Sequence, residues 1–288
     1  MNNSTVNFTS PGTSTNSTIQ SWGLIENLEI FVYSINLFTF PTHCYVIWLI
    51  IGTGSGVALE FFNLNLSVCE IGICLNSLFF ILSRWFSCLE VLDLFLAGFT
   101  FTGRPLFQCL MCVERYLAVL HPVTFLKYKP LRYRVICCTV VWISTLGSCL
   151  VCMYNLASKN SHAHAWFLTV ELTLVISIQL FCLVAVLRAL KQSGPGEKGR
   201  KREVDNPMKR RALFLIVITT VTMFILFFPF VIIGLFIIVT ADASPTVWFT
   251  GVTCFILAGF VQPLLYLNRT GKLSFVPHKI CHCDIVLD

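Results

Sequence analysis

Seven apolar stretches, each long enough to cross a bilayer as a helix, constrain this chain more than any other feature. They cover residues 30–51, 59–82, 89–120, 135–153, 166–190, 212–239 and 247–267. A helix rises 1.5 Å per residue and the hydrocarbon core is about 30 Å thick, so about 20 apolar residues make one crossing. Transmembrane strands run about 10 residues with strict alternation, a pattern these stretches lack. The third stretch is the least apolar, because Glu90, Asp93 and Arg104 interrupt it. Composition agrees with the count. Of 288 residues, 56% are hydrophobic and only 12% charged, about half the charged share of a soluble domain. An ordinary soluble enzyme and a disordered chain are both excluded. The expected fold class is an all-α membrane protein, a seven-transmembrane helix bundle.

Charge placement sets the expected orientation. Of the 20 Lys and Arg residues, Arg84 and Lys159 fall in the loops on one side and Arg104 lies inside a span. The others sit in the loops or helix ends of the opposite side, which the positive-inside rule makes cytoplasmic. The N-terminus is then outside and the C-terminus inside. Residues 1–27 read as an extracellular glycosylated tail, 28–268 as the seven-helix transmembrane domain and 269–288 as a short cytoplasmic tail. Asn2, Asn3, Asn7 and Asn16 each open an N-x-S/T acceptor triplet on the outer side. The first 27 residues lack the basic start and apolar core of a cleaved leader and read as flexible. The net charge of +6 is loop charge at the inner membrane face, not a nucleic-acid surface. Most of the 14 cysteines lie within apolar runs, where Cys behaves as a small hydrophobe. No spacing fits a metal site, no cofactor motif stands out, and no nucleophile–base set supports an enzyme.

Several residues need more than a lipid-facing role. The third stretch ends Glu114-Arg115-Tyr116, followed by Pro122-Val123. Phe227-Phe228-Pro229 lies at mid-depth in the sixth, Gln262-Pro263-Leu264-Leu265-Tyr266 ends the seventh, Trp142 sits within the fourth, and Leu64 to Glu70 crosses the second. In this order across seven spans, the set resembles the rhodopsin-like (class A) family of G-protein-coupled receptors. The resemblance covers roughly residues 28–275. It implies a plasma-membrane, multi-pass receptor whose partners are an extracellular ligand, a heterotrimeric G protein and the lipid bilayer. It further implies that Glu114 holds Arg115 at rest, that the sixth span swings outward about Pro229, and that Tyr266 then turns inward. Val123 resembles the apolar knob that packs on the G protein. The resemblance also implies a disulfide at the outer end of the third span. Cys88 and Cys152 stand nearest its places, although residues 155–165 hold no cysteine. Cys281 and Cys283, near the inner face, are candidate palmitoylation sites or free tail thiols.

The departures are informative. Glu70 stands where relatives carry an Asp that usually belongs to a sodium site. It lies eleven residues from Leu59, and Arg104 lies eleven from Arg115, so each is about 16 Å from the inner face. An isolated charge at that depth costs at least about 2.5 kcal/mol. Glu70 and Arg104 are therefore expected to pair, with the arginine in place of sodium. Phe227 replaces the usual Trp toggle, and Gln262 the usual Asn or Asp. A light receptor is excluded, since residues 247–267 hold no Lys for a Schiff base. The amine-receptor Asp is replaced by Ala97, with Asp93 one turn farther out. Glu26, Glu29, Glu90, Asp93, Glu171 and Asp242 face only Arg84 and Lys159 in the outer half, which favours a cationic or neutral ligand. Glu90, Asp93, Ala97 and Glu171 are the ligand-site candidates. Two other classes stay open: a non-signalling membrane protein of receptor fold, and a small transporter using Glu70 and Arg104.

Overall fold

A computed structural model describes residues 14–52, 60–121, 123, 131–158, 160–192, 207–240 and 245–269, and no strand occurs among them. The first span consists of two helices, α1 (Ser14–Leu37) and α2 (Thr39–Gly52). Pro41 explains the break. It has no N–H for the Leu37 carbonyl, and its ring crowds that turn. The Phe38 N–H bonds back to the Ile35 carbonyl at 3.0 Å, and the Thr39 hydroxyl donates to the Asn36 carbonyl at 2.7 Å. Helix α1 starts at Ser14, inside the stretch read from sequence as flexible. Leu24, Leu28 and Phe31 give it apolar positions that remain exposed on its surface.

The second span is α3 (Phe61–Ser83). A 3-10 turn, Ser87–Leu89, leads into the third, which runs through α4 (Glu90–Gly98), a π-turn (Phe99–Gly103) and α5 (Arg104–Leu120). The remaining spans are α6 (Leu131–Ala157), α7 (Ser161–Gln192), α8 (Pro207–Thr240) and α9 (Pro245–Arg269). His162 and His164 fall in the first turn of α7. His164 is buried.

Among the described residues, six helical stretches are long and apolar enough to cross a membrane, and the third span is not one of them. Packing gives the reason. Spans one and two, five and six, six and seven, and seven and one touch in turn, while the third touches the second, fourth, fifth and sixth. Its middle faces protein: Gly98 and residues 100–105 are all buried. Polar and charged groups at membrane depth are tolerated when they face the bundle interior, so the central helix carries them. The fourth span comes close enough that a Cβ on Gly98 would meet the Cys149 backbone at 2.5 Å. Only glycine permits that approach.

Candidate functional site

Pro105 shapes the site. Lacking an N–H, it leaves the Phe101 carbonyl without its helical donor, and the preceding turn widens. The Arg104 N–H accordingly bonds to the Phe99 carbonyl, five residues back, the pattern of a π-bulge. The bulge aims the Arg104 side chain into the bundle, where it is fully buried. Its Nε donates to Glu70 Oε1 at 2.6 Å and its Nη2 to Glu70 Oε2 at 2.7 Å. Its Nη1 donates to the Phe255 carbonyl on α9. Side-chain exposure is 0% for Arg104 and 1% for Glu70. The planar fork matches the carboxylate edge to edge, the arrangement in which a guanidinium pairs most strongly. The cation also lies 5.1 Å from the Phe255 ring centroid. One side chain thus ties together spans two, three and seven.

Gly259 lets it do so. A Cβ there would sit 3.0 Å from Arg104 Nη2 and 3.5 Å from both Asn36 Oδ1 and Glu70 Oε2. Asn36 donates to Ser77 at 2.8 Å, bringing the first span to the same polar centre.

Toward the acidic end of the bundle lies a cavity of about 190 Å³, lined by Tyr33, Asn76, Asp93, Ala97, Trp248 and Phe255 among others. Asn76 fixes Asp93 by donating to its Oδ1 at 2.8 Å and to its backbone carbonyl at 3.0 Å. Thr100 in turn donates to Asn76 Oδ1 at 3.1 Å. Phe101, Phe230, Trp248 and Phe255 form one edge-on and tilted aromatic cluster at its wall. Of the sequence candidates, Asp93 and Ala97 line this cavity, whereas Glu90 is exposed and Glu171 lines a separate crevice between α6 and α7. Glu26 and Glu29 are engaged by Arg84, at 2.8 and 3.9 Å.

At the basic end, Glu114 accepts a hydrogen bond from Arg134 Nη2 at the start of α6. Arg134 is buried, with its guanidinium 5.9 Å from the Phe62 ring centroid. The sequence reading assigned Glu114 to Arg115 and gave Arg134 no part. Tyr116 packs against His121 and Phe181. Val123 is 81% exposed. Tyr266 is buried with Val46, Leu49 and Ile50 of the first span. Phe227 is fully buried and edge-on to Phe255. Pro229 and Pro263 lie inside α8 and α9. Trp142 donates to Asn65 Oδ1 at 2.9 Å, coupling spans two and four.

One expectation is overturned. Cys88 and Cys152 are not joined; both thiols are free, Cys88 exposed and Cys152 buried. The reason is geometric: Cys152 continues the buried stripe Thr145, Ser148, Cys149 along α6 and faces Phe101 and Leu172 in the core. Asn16 lies in the first turn of α1. Asn2, Asn3, Asn7, Asp242, the Gln262 side chain, Cys281 and Cys283 lie outside the described residues.

These features define a class of protein: a multi-pass α-helical membrane protein with a polar central helix, a buried ion pair at mid-depth and, at one end, a small, mostly apolar cavity that holds one acid. Comparison with known proteins adds the particular resemblance. The chain is 26% identical over 251 residues to the "G-protein coupled receptor homolog Q2/3L" of Sheeppox virus (strain KS-1), covering 78% of this chain and 59% of that relative. It is 25% identical over 191 residues to human "C-C chemokine receptor type 8", covering 56% of this chain and 51% of the relative. It is 34% identical over 97 residues to human "Chemokine XC receptor 1", covering 30% and 29% respectively. No protein-family profile matches the chain. The chain spans little more than half the length of the first two relatives. Its motifs, helices and relatives agree: it resembles the rhodopsin-like G-protein-coupled receptors and is a multi-pass protein of the plasma membrane.

Proposed function

We propose that this chain is a cell-surface receptor that binds an extracellular ligand at its acidic end and activates heterotrimeric G proteins at its basic end. The observation that carries the reading is the Glu114-Arg115-Tyr116 run at the basic end of the buried third helix, in a chain related to named receptors. Glu114, Arg115 and Tyr116 form the coupling switch, with Val123 as the exposed contact for the G protein. The sixth helix moves outward about Pro229, where the missing backbone bond makes a hinge. Phe227 and Phe255 transmit ligand contact to that hinge, and Pro263 and Tyr266 follow on the seventh helix.

A cavity of about 190 Å³ is smaller than the 300–1,000 Å³ typical of drug-sized ligand pockets. It holds one side chain or chain terminus, not a whole organic ligand. Asp93 is the acid lining it, and among the described residues no cation lies within ion-pair distance of Asp93 or Glu90. The ligand is thus a peptide or small protein that inserts a cationic group. The names of the two human relatives make chemokines the first class to test.

The deciding experiment is basal G-protein activation in cells across the main subtypes, comparing wild type with Arg115→Ala at matched surface level. Loss of basal signal in the variant supports the receptor reading and names the pathway. A wild type that stays silent through a chemokine screen at good surface expression overturns it. That outcome favours a non-signalling protein of the same architecture, a reading that the substituted switch positions Phe227 and Gln262 keep in view.

A further inference from the structure

Glu171 is a half-buried acid that takes part in no ion pair among the described residues and does not line the ligand cavity. It sits on α7, in a crevice of about 590 Å³ between α6 and α7. Its Oε2 accepts a hydrogen bond from Thr102 at 2.8 Å. Thr102 has one proton to give, so Ser148, also bonded to Thr102, must be the donor in that contact. A directed chain, Ser148 to Thr102 to Glu171, therefore runs from the bundle core to the carboxylate. Among the described residues, Glu171 Oε1 meets no donor, and no Lys, Arg or His lies within ion-pair distance.

The crevice opens sideways, toward lipid. Trp166, Val170 and Leu174 on its α7 wall are 50%, 49% and 60% exposed, and Val151 on its α6 wall is 39% exposed. In a membrane-spanning chain such surfaces meet acyl chains. Gly147 hollows the α6 wall, since a Cβ there would have nothing within 4 Å. Depth matters as well. Glu171 is five residues from Trp166, about 7.5 Å along the helix axis. An indole near a helix end marks the membrane interface, so the carboxylate lies below that interface, level with Thr102, where a cationic head reaches it only by being drawn inward.

We propose that this crevice is a lipid-facing binding site for a cationic amphiphile, a protonated amine on a single alkyl chain. The ammonium meets Glu171, and the chain lies along Val170 and Leu174. An anionic or neutral head leaves the carboxylate uncompensated in a low-dielectric surrounding, where ion pairing is worth most. The site is distinct from the Asp93 cavity and does not depend on the receptor reading, requiring only that the chain spans a membrane.

The test is equilibrium binding of radiolabelled dodecylamine to the full chain in phosphatidylcholine nanodiscs, with empty nanodiscs subtracted and dodecanol as the neutral probe. Saturable uptake near one per chain is expected for the amine and none for the alcohol. Glu171→Gln should weaken it about tenfold or more. Gly147→Leu fills the hollow without touching the carboxylate and should also abolish uptake, while its thermal unfolding stays that of wild type; it carries the test if Glu171→Gln misfolds. Equal uptake of dodecanol, or unchanged amine binding in a folded Gly147→Leu protein, overturns the proposal.

Discussion

The Arg104–Glu70 pair and the Arg134–Glu114 pair join the same central helix to its neighbours, yet only the first is dry. Side-chain exposures are 0% and 1% at mid-helix against 6% and 21% at the basic end. At mid-helix the guanidinium is held from two other spans, and neither partner has solvent to fall back on. At the basic end, Glu114 is reached by water and adjoins Arg115 in sequence. Coulomb energy depends steeply on local dielectric, so similar chemistry does different work at the two depths. The dry pair fixes helix positions. The wet pair can exchange partners, which a switch requires.

The largest expected effect breaks the dry pair from one side. Arg104→Leu leaves Glu70 buried without its cation, a change that costs about 3–5 kcal/mol, and surface yield and thermal stability in detergent should fall steeply. Arg104→Leu combined with Glu70→Leu removes both charges. Such paired replacements are often neutral or stabilising, so the double variant should recover most of the stability. A single Arg104→Leu protein as stable as wild type would remove the bolt.

Next comes Gly259→Ala. Its Cβ would stand 3.0 Å from Arg104 Nη2, against a guanidinium already pinned by the Phe255 carbonyl and both Glu70 oxygens. Overpacking of this sort costs about 1–3 kcal/mol. In the Arg104→Leu, Glu70→Leu background the clash partner is gone, so the Gly259→Ala penalty should shrink. A double-mutant cycle on thermal unfolding reads that coupling.

Smaller again is Arg134→Ala. Glu114 keeps water and Arg115 within reach, so the stability loss should be about 1 kcal/mol. The informative readout is basal signalling. With Arg134 absent, Glu114 is returned to Arg115, and basal G-protein activation should fall at matched surface level. Unchanged basal activity would mean that the wet pair is structural only.

How much of this was legible beforehand follows from what kinds of atoms carry it. Arg104 and Glu70 announced themselves, because charges at equal depth in apolar helices demand partners. The Phe255 carbonyl and Gly259 did not, because a backbone oxygen and a missing side chain leave no signature until the helices are packed. Pro105, beside the arginine, was a readable signal for a distorted turn. The Glu114–Arg134 contact was hidden by adjacency: Arg115 follows Glu114 in the chain and drew the assignment, while Arg134 arrives from another helix. The Cys88–Cys152 expectation came from relatives, although Thr145, Ser148, Cys149 and Cys152 recur at helical spacing and mark one inward face of α6. Seven spans were legible from hydropathy; that the weakest of them is central explains its charges.

The smallest expected effect is none, and it sharpens the contrast most. The Arg104 guanidinium takes both Glu70 oxygens, the acid that the family resemblance assigns to sodium. A second cation brought there would meet a carboxylate already neutralised and a fixed positive charge within 3 Å of each oxygen, with like-charge repulsion in low dielectric against it. Replacing sodium by N-methylglucamine at constant ionic strength should therefore leave basal and ligand-stimulated signalling, and the thermal stability of the purified chain, unchanged. The wet pair gives the internal control. Glu114 is partly exposed, so raising total ionic strength should screen it and shift basal signalling slightly, whatever the cation. A response specific to sodium, absent with potassium at equal ionic strength, would mean that Arg104 releases Glu70 during function, and the fixed bolt would have to be redrawn as a second moving part.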